Sequence, residues 1–307
     1  MHPGGTETNV NQTNVNKSNF KQAPLNRTTV TLRLFAAGYC EHAEWITIRG
    51  GSRRKARFPA GYAVIGHPVH GPVLFDTGYA RRFHEHTSAF PYSLYAKVTP
   101  AFIGEGDSAV RQLADAGIRP DDVRQIVVSH FHADHIAGLR DFPRARYICA
   151  EWAYEAVKPL KGLKAVLRGF VPSLLPGDFE ERCRMLREDE RVRLPGGFPF
   201  PDGYDLFGDG SVIAVDVSGH AEGQLGLFVR TERSEYFLCA DAVWSSRAFR
   251  EHRLPHPAAG LIMSGRSRYK TTFQAVVRLH RDYPQFRIIP SHCMEAWERY
   301  IRGGEPL

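Results

Sequence analysis

The sequence predicts a layered α+β fold in which sheets and helices pack around one core. Three observations predict it. Short apolar or alternating runs bounded by glycine, proline and aspartate recur along the chain, as strands and turns do. Two longer segments between such runs show helical periodicity, and strands outnumber helices. A chain of 307 residues is also long enough to bury a sizeable core in one large domain.

The predicted strands begin after residues 1–28, an asparagine- and threonine-rich segment with almost no large apolar side chains. Such a segment cannot offset the entropy cost of ordering, so we expect a disordered tail followed by one folded domain over residues 29–307. The predicted strands are, in chain order, TVTLRLFAAG, YAVIGH, PVLFDTG, VRQIVVSH, ARYICA, SVIAVDVSGH, QLGLFVR, EYFLCAD and FRIIPSH.

Two helices are predicted between these strands. The segment GDSAVRQLADAGI offers Asp107 or Ser108 as an N-cap, places its apolar side chains on one face, and ends at Gly117. The segment SRYKTTFQAVVRLHRDYP repeats the helical spacing and ends before Pro284. Both helices therefore have one apolar face to pack on a sheet.

The chain carries 40 lysines and arginines against 33 aspartates and glutamates, a formal net charge of +7, which raises the question of a nucleic-acid or membrane partner. The basic residues are scattered, however. The one tight run, at Arg53, Arg54, Lys55 and Arg57, has no interleaved aromatic side chains. We interpret that run as a solvated loop, and we expect no nucleic-acid partner.

Five cysteines without CxxC spacing argue against a disulfide framework or a zinc ribbon and favour reduced thiols. No apolar stretch approaches the roughly 20 residues of a membrane span. The N-terminus also lacks the cationic and apolar regions of a secretory signal. These features predict a cytoplasmic protein without a membrane span and leave its oligomeric state open.

The segment SHFHADHIAGL, residues 129–139, concentrates three histidines and an aspartate in six positions. Neutral imidazole is costly to bury without partners, whereas a dication such as zinc accepts imidazole nitrogens and carboxylate oxygens as ligands. Three further polar side chains follow apolar strands: His220 after VDVSG, Asp241 after FLCA and His292 after IIPS. Because adjacent strands lie about 5 Å apart, side chains at the ends of strands can converge on one site.

These side chains divide into two predicted metal positions that share one carboxylate. Three histidines would hold one ion, one aspartate and two histidines would hold the other, and the remaining aspartate would bridge them. The sets are His130, His132 and His220 for the first ion, Asp134, His135 and His292 for the second, and Asp241 as the bridge. We expect two divalent ions, zinc foremost, with iron or manganese as alternatives.

The HxHxDH segment, the glycine-preceded His220, Asp241 and His292 together resemble the metallo-β-lactamase superfamily, over nearly all of residues 29–307. The resemblance implies a four-layer αββα sandwich with the metals at one edge of the paired sheets. The turn LFDTG also matches, and the resemblance implies that its Asp76 orients the metal loops without binding an ion itself.

Within the superfamily the chain is most similar to the N-acyl-homoserine lactonases, on the LFDTG turn, the HxHxDH loop, and SGH followed by EGQLG. The likeness implies hydrolysis of a lactone or other carboxylic ester by a metal-bridging hydroxide, with Asp134 passing a proton to the leaving group. At Trp244 those lactonases carry a tyrosine instead. Indole donates one hydrogen bond and cannot supply a proton, so we expect Trp244, as a catalytic-site residue, to weaken turnover of simple lactones.

Two other functional classes stay open from the sequence. A phosphodiesterase or nuclease would suit the positive charge, but no cationic phosphate clamp is identifiable. An iron-dependent member that handles oxygen or sulfur would use a similar set of ligands.

An apolar-rich segment at about residues 151–205 separates the histidine-rich loop from His220. One hypothesis makes it a helical, lid-like insertion whose Phe170 and Leu174 line the substrate pocket and bury an acyl or aromatic group. The alternative is a helix pair that only packs on the sandwich.

Overall fold

The computed structural model describes residues 28–302, which form two mixed β-sheets packed face to face with helices on both outer sides. The predicted αββα layering is therefore confirmed. The predicted disordered tail, apart from Thr28, lies outside the described residues.

Seven strands form the first sheet and six form the second. The first contains β1 (Thr31–Ala43), β2 (Lys55–His67), β3 (Gly71–Phe75), β4 (Ala101–Phe102), β5 (Gln125–Val127), β6 (Arg146–Ala150) and β7 (Cys183–Leu186). The second contains β8 (Val192–Arg193), β9 (Asp202–Asp205), β10 (Val212–Asp216), β11 (Leu225–Arg230), β12 (Glu235–Ala240) and β13 (Phe286–Pro290). Their orders are β4-β1-β2-β3-β5-β6-β7 and β13-β12-β11-β10-β9-β8.

Most of the helices are short. They are α1 (Glu44–Thr47), α2 (Arg82–His86), α3 (Tyr92–Val98), α4 (Ala109–Asp115), α5 (Ala133–Ile136), α6 (Glu151–Val157), α7 (Gly162–Val166), α8 (Phe179–Arg182), α9 (Ser246–Arg250), α10 (Arg266–Asp282) and α11 (Met294–Trp297). Single 3₁₀ turns lie at Pro120–Asp122, Leu139–Asp141, Pro172–Leu174, Glu188–Glu190 and Pro257–Leu261, and a π-helical turn lies at Glu298–Arg302. Within residues 28–302, no helix is both long and apolar enough to cross a bilayer.

The two predicted helices are α4 and α10. Ser108 stands at the N-cap of α4 with extended backbone angles, and Gly117 follows the helix with a φ of +79°. That left-handed angle costs little only for glycine, which explains why the helix ends there. The longer α10 ends before Pro284, as predicted.

The alternation of side chains along β11 and β12 explains the layers. Leu227 and Leu238 point into the core between the sheets, whereas Phe228 and Phe237 point outward and stack with ring centroids 4.3 Å apart. The outward rings pack in one cluster with Phe273 of α10. Burying each such side chain contributes about 1.5–3 kcal/mol, so both faces of this sheet stabilise the fold.

The segment at residues 151–205 differs from the predicted helical insertion in its second half. Up to Arg182 it is largely helical, with α6, α7 and α8. From Cys183 onward it is extended, because β7 pairs in parallel with β6, and β8 and β9 continue the second sheet. A strand of four residues places only two side chains on each face, so its periodicity is too short to distinguish it from a helix in the sequence.

Candidate metal centre

The candidate ligands stand in loops that follow four strands. His130 comes shortly after β5, His220 after β10, Asp241 directly after β12 and His292 just after β13. β12 and β13 are parallel, and β10 runs in the same direction because β11 is antiparallel to both of its neighbours. The loops after these three strands therefore lie at one edge of the second sheet, where they meet the loop after β5 and bring all seven predicted ligands together.

The first cluster contains His130, His132 and His220, each with one ring nitrogen within 4.8 Å of the others. Nδ1 of His132 lies 2.9 Å from Nε2 of His220. Nε2 of His130 is buried and has no hydrogen-bond partner in the part of the chain that the structure describes. A buried polar atom without a partner is costly, and a metal ion would satisfy this nitrogen together with its two neighbours.

The second cluster contains Asp134, His135 and His292. Nε2 of His292 lies 3.3 Å from Oδ2 of Asp134, and Nε2 of His135 lies 3.9 Å from the same oxygen. The opposite ring nitrogens are held in place: Nδ1 of His135 donates to Asp76 at 2.8 Å, and Nδ1 of His292 donates to the Pro59 carbonyl at 2.7 Å. These bonds fix both rings with Nε2 toward the cluster, as in metal-binding histidines.

Asp241 lies between the two clusters. Its Oδ2 is 3.2 Å from Nε2 of His220 and 3.1 Å from Nε2 of His292. Its Oδ1 is buried, 3.5 Å from Nε2 of His135, and neither atom of that pair has a hydrogen-bond partner among residues 28–302. The carboxylate thus presents one oxygen to atoms of both clusters, and the unpartnered atoms around it fit the donor set of two divalent cations.

The two clusters differ in charge before any metal binds. Burial lowers the pKa of His132 to about 4 and the pKa of His220 to about 3, and it also holds the pKa of His130 far below its usual range. Burial would lower the pKa of His135 too, but the Asp76, Asp134 and Asp241 carboxylates outweigh it and raise this pKa to about 10. The first cluster is therefore neutral at pH 7, whereas His135 holds a proton.

His292 behaves like His135. Burial opposes its charged form, but Asp241 and Asp134 outweigh burial and raise the pKa of His292 to about 9. In turn the neighbouring histidines, His292 first, overcome burial and hold the pKa of Asp241 well below its usual range. The second cluster is consequently a network of ion pairs in which a metal ion would replace protons.

Asp76 lies behind the second cluster at the predicted position. Besides His135, its carboxylate accepts hydrogen bonds from the backbone N–H of Ser129 at 2.8 Å and from the Ser129 hydroxyl at 2.7 Å. Asp76 has a φ of +63°, a strained value for a residue other than glycine. The strain is consistent with a backbone held in place to point this carboxylate at the loop that carries His130.

Trp244 is buried against two of the candidate ligands, Asp241 and His220. Its indole N–H donates to Oδ2 of Asp241 at 3.1 Å, and its ring stands perpendicular to that of His220 with centroids 5.4 Å apart. The side chain is only 7% exposed and belongs to the core cluster outside the second sheet. The single donor of Trp244 is therefore engaged by the shared carboxylate and is not directed at a substrate.

Phe170 and Leu174 are 2% and 0% exposed and belong to the main hydrophobic core. Phe170 packs edge-on against the ring of Phe131, inside the metal loop. This placement favours the packing alternative for the segment, because neither side chain presents surface to an open pocket. The segment does reach the site through Gly169, where a Cβ atom would come within 2.7 Å of the His132 ring.

Sequence reasoning missed three supports of the site. Ser129 could have been identified from the sequence, since it directly precedes His130. Its hydroxyl lies 3.0 Å from Nδ1 of that histidine. The Pro59 carbonyl that orients His292 is a backbone atom and leaves no mark on the sequence. Gly169 matters through its missing side chain, and only the tertiary contact with His132 reveals it.

A family model described as the metallo-beta-lactamase superfamily matches residues 60–292, which span the Asp76 turn and every candidate ligand. The chain belongs to the metallo-beta-lactamase superfamily. The family predicted from the sequence is thereby confirmed, and so is the general class of metal-dependent hydrolase.

Among curated relatives, the N-acyl homoserine lactonase AttM of Azorhizobium caulinodans is 25% identical over 262 residues, covering 84% of this chain and 90% of that protein. Among solved structures, an N-acyl homoserine lactone hydrolase with N-hexanoyl-L-homoserine at its catalytic metal center superposes with a TM-score of 0.66. It is 18% identical and covers 92% of this chain and 100% of that one. The dizinc quorum-quenching lactonase AidC has a TM-score of 0.60 and 15% identity, with 88% and 90% coverage. The solved structures share the fold, and the curated relative confirms the predicted similarity to the N-acyl-homoserine lactonases.

Proposed function

We propose that this protein is a dinuclear metal-dependent hydrolase that opens a lactone or cleaves another carboxylic ester. The observation that carries the proposal is the buried cluster of seven ligand side chains with Asp241 between its two halves. The lactonases among its relatives, one of them described as a dizinc enzyme, support both the number of ions and the substrate class.

In this proposal the chain supplies two positions for divalent ions, zinc foremost. Bound there, the ions would lower the pKa of a water molecule from about 15.7 toward 7 and polarise the carbonyl under attack. The histidines of the first cluster are neutral, and the Asp134 carboxylate of the second cluster, with Asp241 beside it, would offset the added charge. Asp241 would contribute to both positions because its Oδ2 lies close to Nε2 of His220 and to Nε2 of His292.

Asp134 is the group we assign to proton transfer. Its side chain is 11% exposed, whereas that of Asp241 is 3% exposed, so Asp134 stands on the side of the cluster that is more open to solvent. A carboxylate in that position can accept a hydrogen bond from the attacking water and later deliver a proton to the leaving alkoxide. Substrate would therefore approach from the Asp134 side.

The contact between Trp244 and Asp241 bears on the choice of substrate. Because the indole N–H is engaged by Asp241, Trp244 leaves the developing oxyanion without the hydroxyl donor that related lactonases place here. Losing one such donor typically costs about 10² to 10³ in kcat. We therefore expect esters with good leaving groups, such as aryl esters, to be turned over faster than simple acyl-homoserine lactones.

A panel of substrates tests the proposal. The metal-replete protein is assayed with N-hexanoyl homoserine lactone, a simple γ-lactone, an aryl ester, a thioester and a phosphodiester. We expect hydrolysis of the carboxylic esters and lactones, loss of activity on chelation, and recovery on adding zinc. Turnover of the phosphodiester alone would favour the nuclease class, and activity with iron on an oxygen or sulfur substrate alone would favour the third class. Either result would overturn the proposal.

A further inference from the structure

A cavity of about 480 Å³ lies where β5 and β6 begin, whereas the candidate metal ligands follow the ends of strands. Arginines line it, together with the rings of two aromatic residues. They are Arg124, Arg144, Arg146 and Arg184, with His70 and Phe207. We call this site the arginine pocket. Its volume lies within the roughly 300–1,000 Å³ range of small-molecule sites.

The parallel strands of the first sheet bring these arginines together. Arg124 precedes β5 and Arg146 begins β6, so both stand at the starts of strands, whereas the metal loop follows the end of β5. In register, Gln125 lies opposite Arg146, and Ile148 lies opposite Arg184. Side chains two apart on a strand, and those of paired neighbours, share one face, so Arg146 and Arg184 project from the same side of the sheet. Arg124 alternates to the other side and lines the cavity from the edge where β5 begins.

The charges of the arginine pocket are only partly compensated. Arg144 lies 3.6 Å from Asp121, and Arg184 lies 3.6 Å from Glu190. Arg124 and Arg146 form no ion pair with any residue in the described range 28–302. Two arginines without an ion-pair partner in that range therefore remain, and their combined charge suits the charge of about −1.5 to −2 that a phosphate monoester carries at pH 7. Guanidinium groups also match phosphate geometry, since two N–H bonds can be made at once.

The aromatic side chains of the arginine pocket form a second surface that a ligand can contact. His70 stacks on Phe207 with ring centroids 4.7 Å apart and an interplanar angle of 25°. His67 also packs on Phe207 and is held by Asp209 at 3.0 Å, so the ring stack is fixed from behind. A planar ring can stack on such a surface, and a flat heterocyclic base is the common biological ring attached to a phosphate.

We propose that the arginine pocket binds a nucleoside monophosphate, with the phosphate on Arg124 and Arg146 and the base against His70 and Phe207. The site is separate from the candidate metal centre, because Arg124 precedes β5 whereas His130 follows it, and the two sites share no lining residue. The proposal does not depend on the reaction at the metals. It gives a binding role to part of the chain's net positive charge, which the candidate metal centre does not require.

Isothermal titration of the zinc-loaded full chain with adenosine monophosphate tests this proposal. The test variant is Arg124→Gln with Arg146→Gln, and the matched control is Arg53→Gln with Arg54→Gln, which removes the same charge from an exposed loop. We expect saturable binding that the test variant weakens at least about tenfold and the control leaves unchanged. Adenosine and inorganic phosphate should each bind at least about tenfold more weakly than the nucleotide.

Several outcomes would overturn the proposal. They are no saturable binding of adenosine monophosphate, equal weakening by both arginine variants, or equal affinity for inorganic phosphate. Competitive inhibition of ester hydrolysis that persists in the test variant would place the nucleotide at the metals instead. Because hydrolysis is measured in parallel on both variants, failure of the pocket is distinguishable from failure of the enzyme.

Discussion

The two clusters of the candidate metal centre both contain histidines, but those histidines differ in charge state. His132 and His220, in the first cluster, have lowered pKa values of about 4 and 3. His135 and His292, in the second, have raised pKa values of about 10 and 9. All four rings are buried or half-buried, so burial does not explain the difference. The difference comes from the carboxylates.

Carboxylates surround only the second cluster on several sides. Asp76 lies 2.8 Å from Nδ1 of His135, and Asp134 lies 3.3 Å from Nε2 of His292, whereas the first cluster approaches one carboxylate, Asp241. A histidine in this fold is therefore neutral or protonated according to the number of carboxylates it faces. In the proposed site, the first position would offer neutral histidines to an ion, and the second would bind an ion by exchanging protons for it.

The largest expected effect belongs to Asp241, which we propose joins the two positions. Asp241→Asn keeps the size of the side chain but removes its charge, and we expect ester hydrolysis to fall by at least about 10³-fold with loss of one or both ions. Steady-state kinetics and metal analysis measure the two effects. Asp115→Asn, at a side chain that is 65% exposed, is the matched control and should behave like the unmodified protein. Full activity in Asp241→Asn would show that hydrolysis does not require the Asp241 carboxylate.

The pH dependence of metal binding should separate the two positions. As the pH falls below about 9, His292 and His135 take up protons and compete with the ion, so affinity at the second position should fall by up to about 100-fold per pH unit. The first position should hold its ion over the same range, because His132 and His220 stay neutral. Equilibrium dialysis against a chelator at pH 6 to 9 measures this, and equal slopes for both ions would contradict the comparison.

Asp76→Asn should weaken the second position alone. The substitution removes the acceptor charge behind His135 while leaving the ligand in place, and such changes typically cost about 10- to 100-fold in metal affinity. The thermal stability of the metal-loaded variant, measured by calorimetry, distinguishes weaker metal binding from unfolding. If both ions weaken by the same factor, Asp76 supports the whole loop and not one position.

The smallest expected effect is at Trp244. Trp244→Phe keeps an aromatic ring but removes the N–H that Asp241 accepts, and we expect kcat to fall by less than about tenfold. Trp244→Tyr is the companion variant, which restores a hydroxyl and should raise turnover of simple lactones relative to aryl esters. If both variants match the unmodified protein on both substrates, Trp244 acts only by packing.

The layers, and the candidate ligands that the fold brings together, could be predicted from the sequence because both leave periodic or compositional signals. Strands with alternating side chains, a 17-residue helix at Arg266–Asp282 and histidines after apolar runs are local features of the chain. The short strand β7 and the strands β8 and β9 after it escaped prediction, because two to four residues carry too little pattern. The contact of Gly169 with His132 depends on tertiary packing that no local pattern encodes.

The charge difference between the two positions was equally invisible in the sequence. His130 and His135 stand in the same six-residue motif, yet only His135 faces Asp76 from a turn more than 50 positions earlier. Likewise, the arginine pocket joins Arg124 and Arg184, which no motif connects. Long-range pairing of strands creates both features, so only the folded chain shows them.

Activity measured as zinc is added back to metal-free protein tests the central claim most directly. The claim is that Asp241 joins two metal positions into one hydrolytic site. It predicts that ester hydrolysis rises until two zinc ions are bound per chain, with the same stoichiometry by elemental analysis of the metal-replete protein. Full activity at one ion per chain, with no second ion taken up at pH 8 to 9, would contradict it.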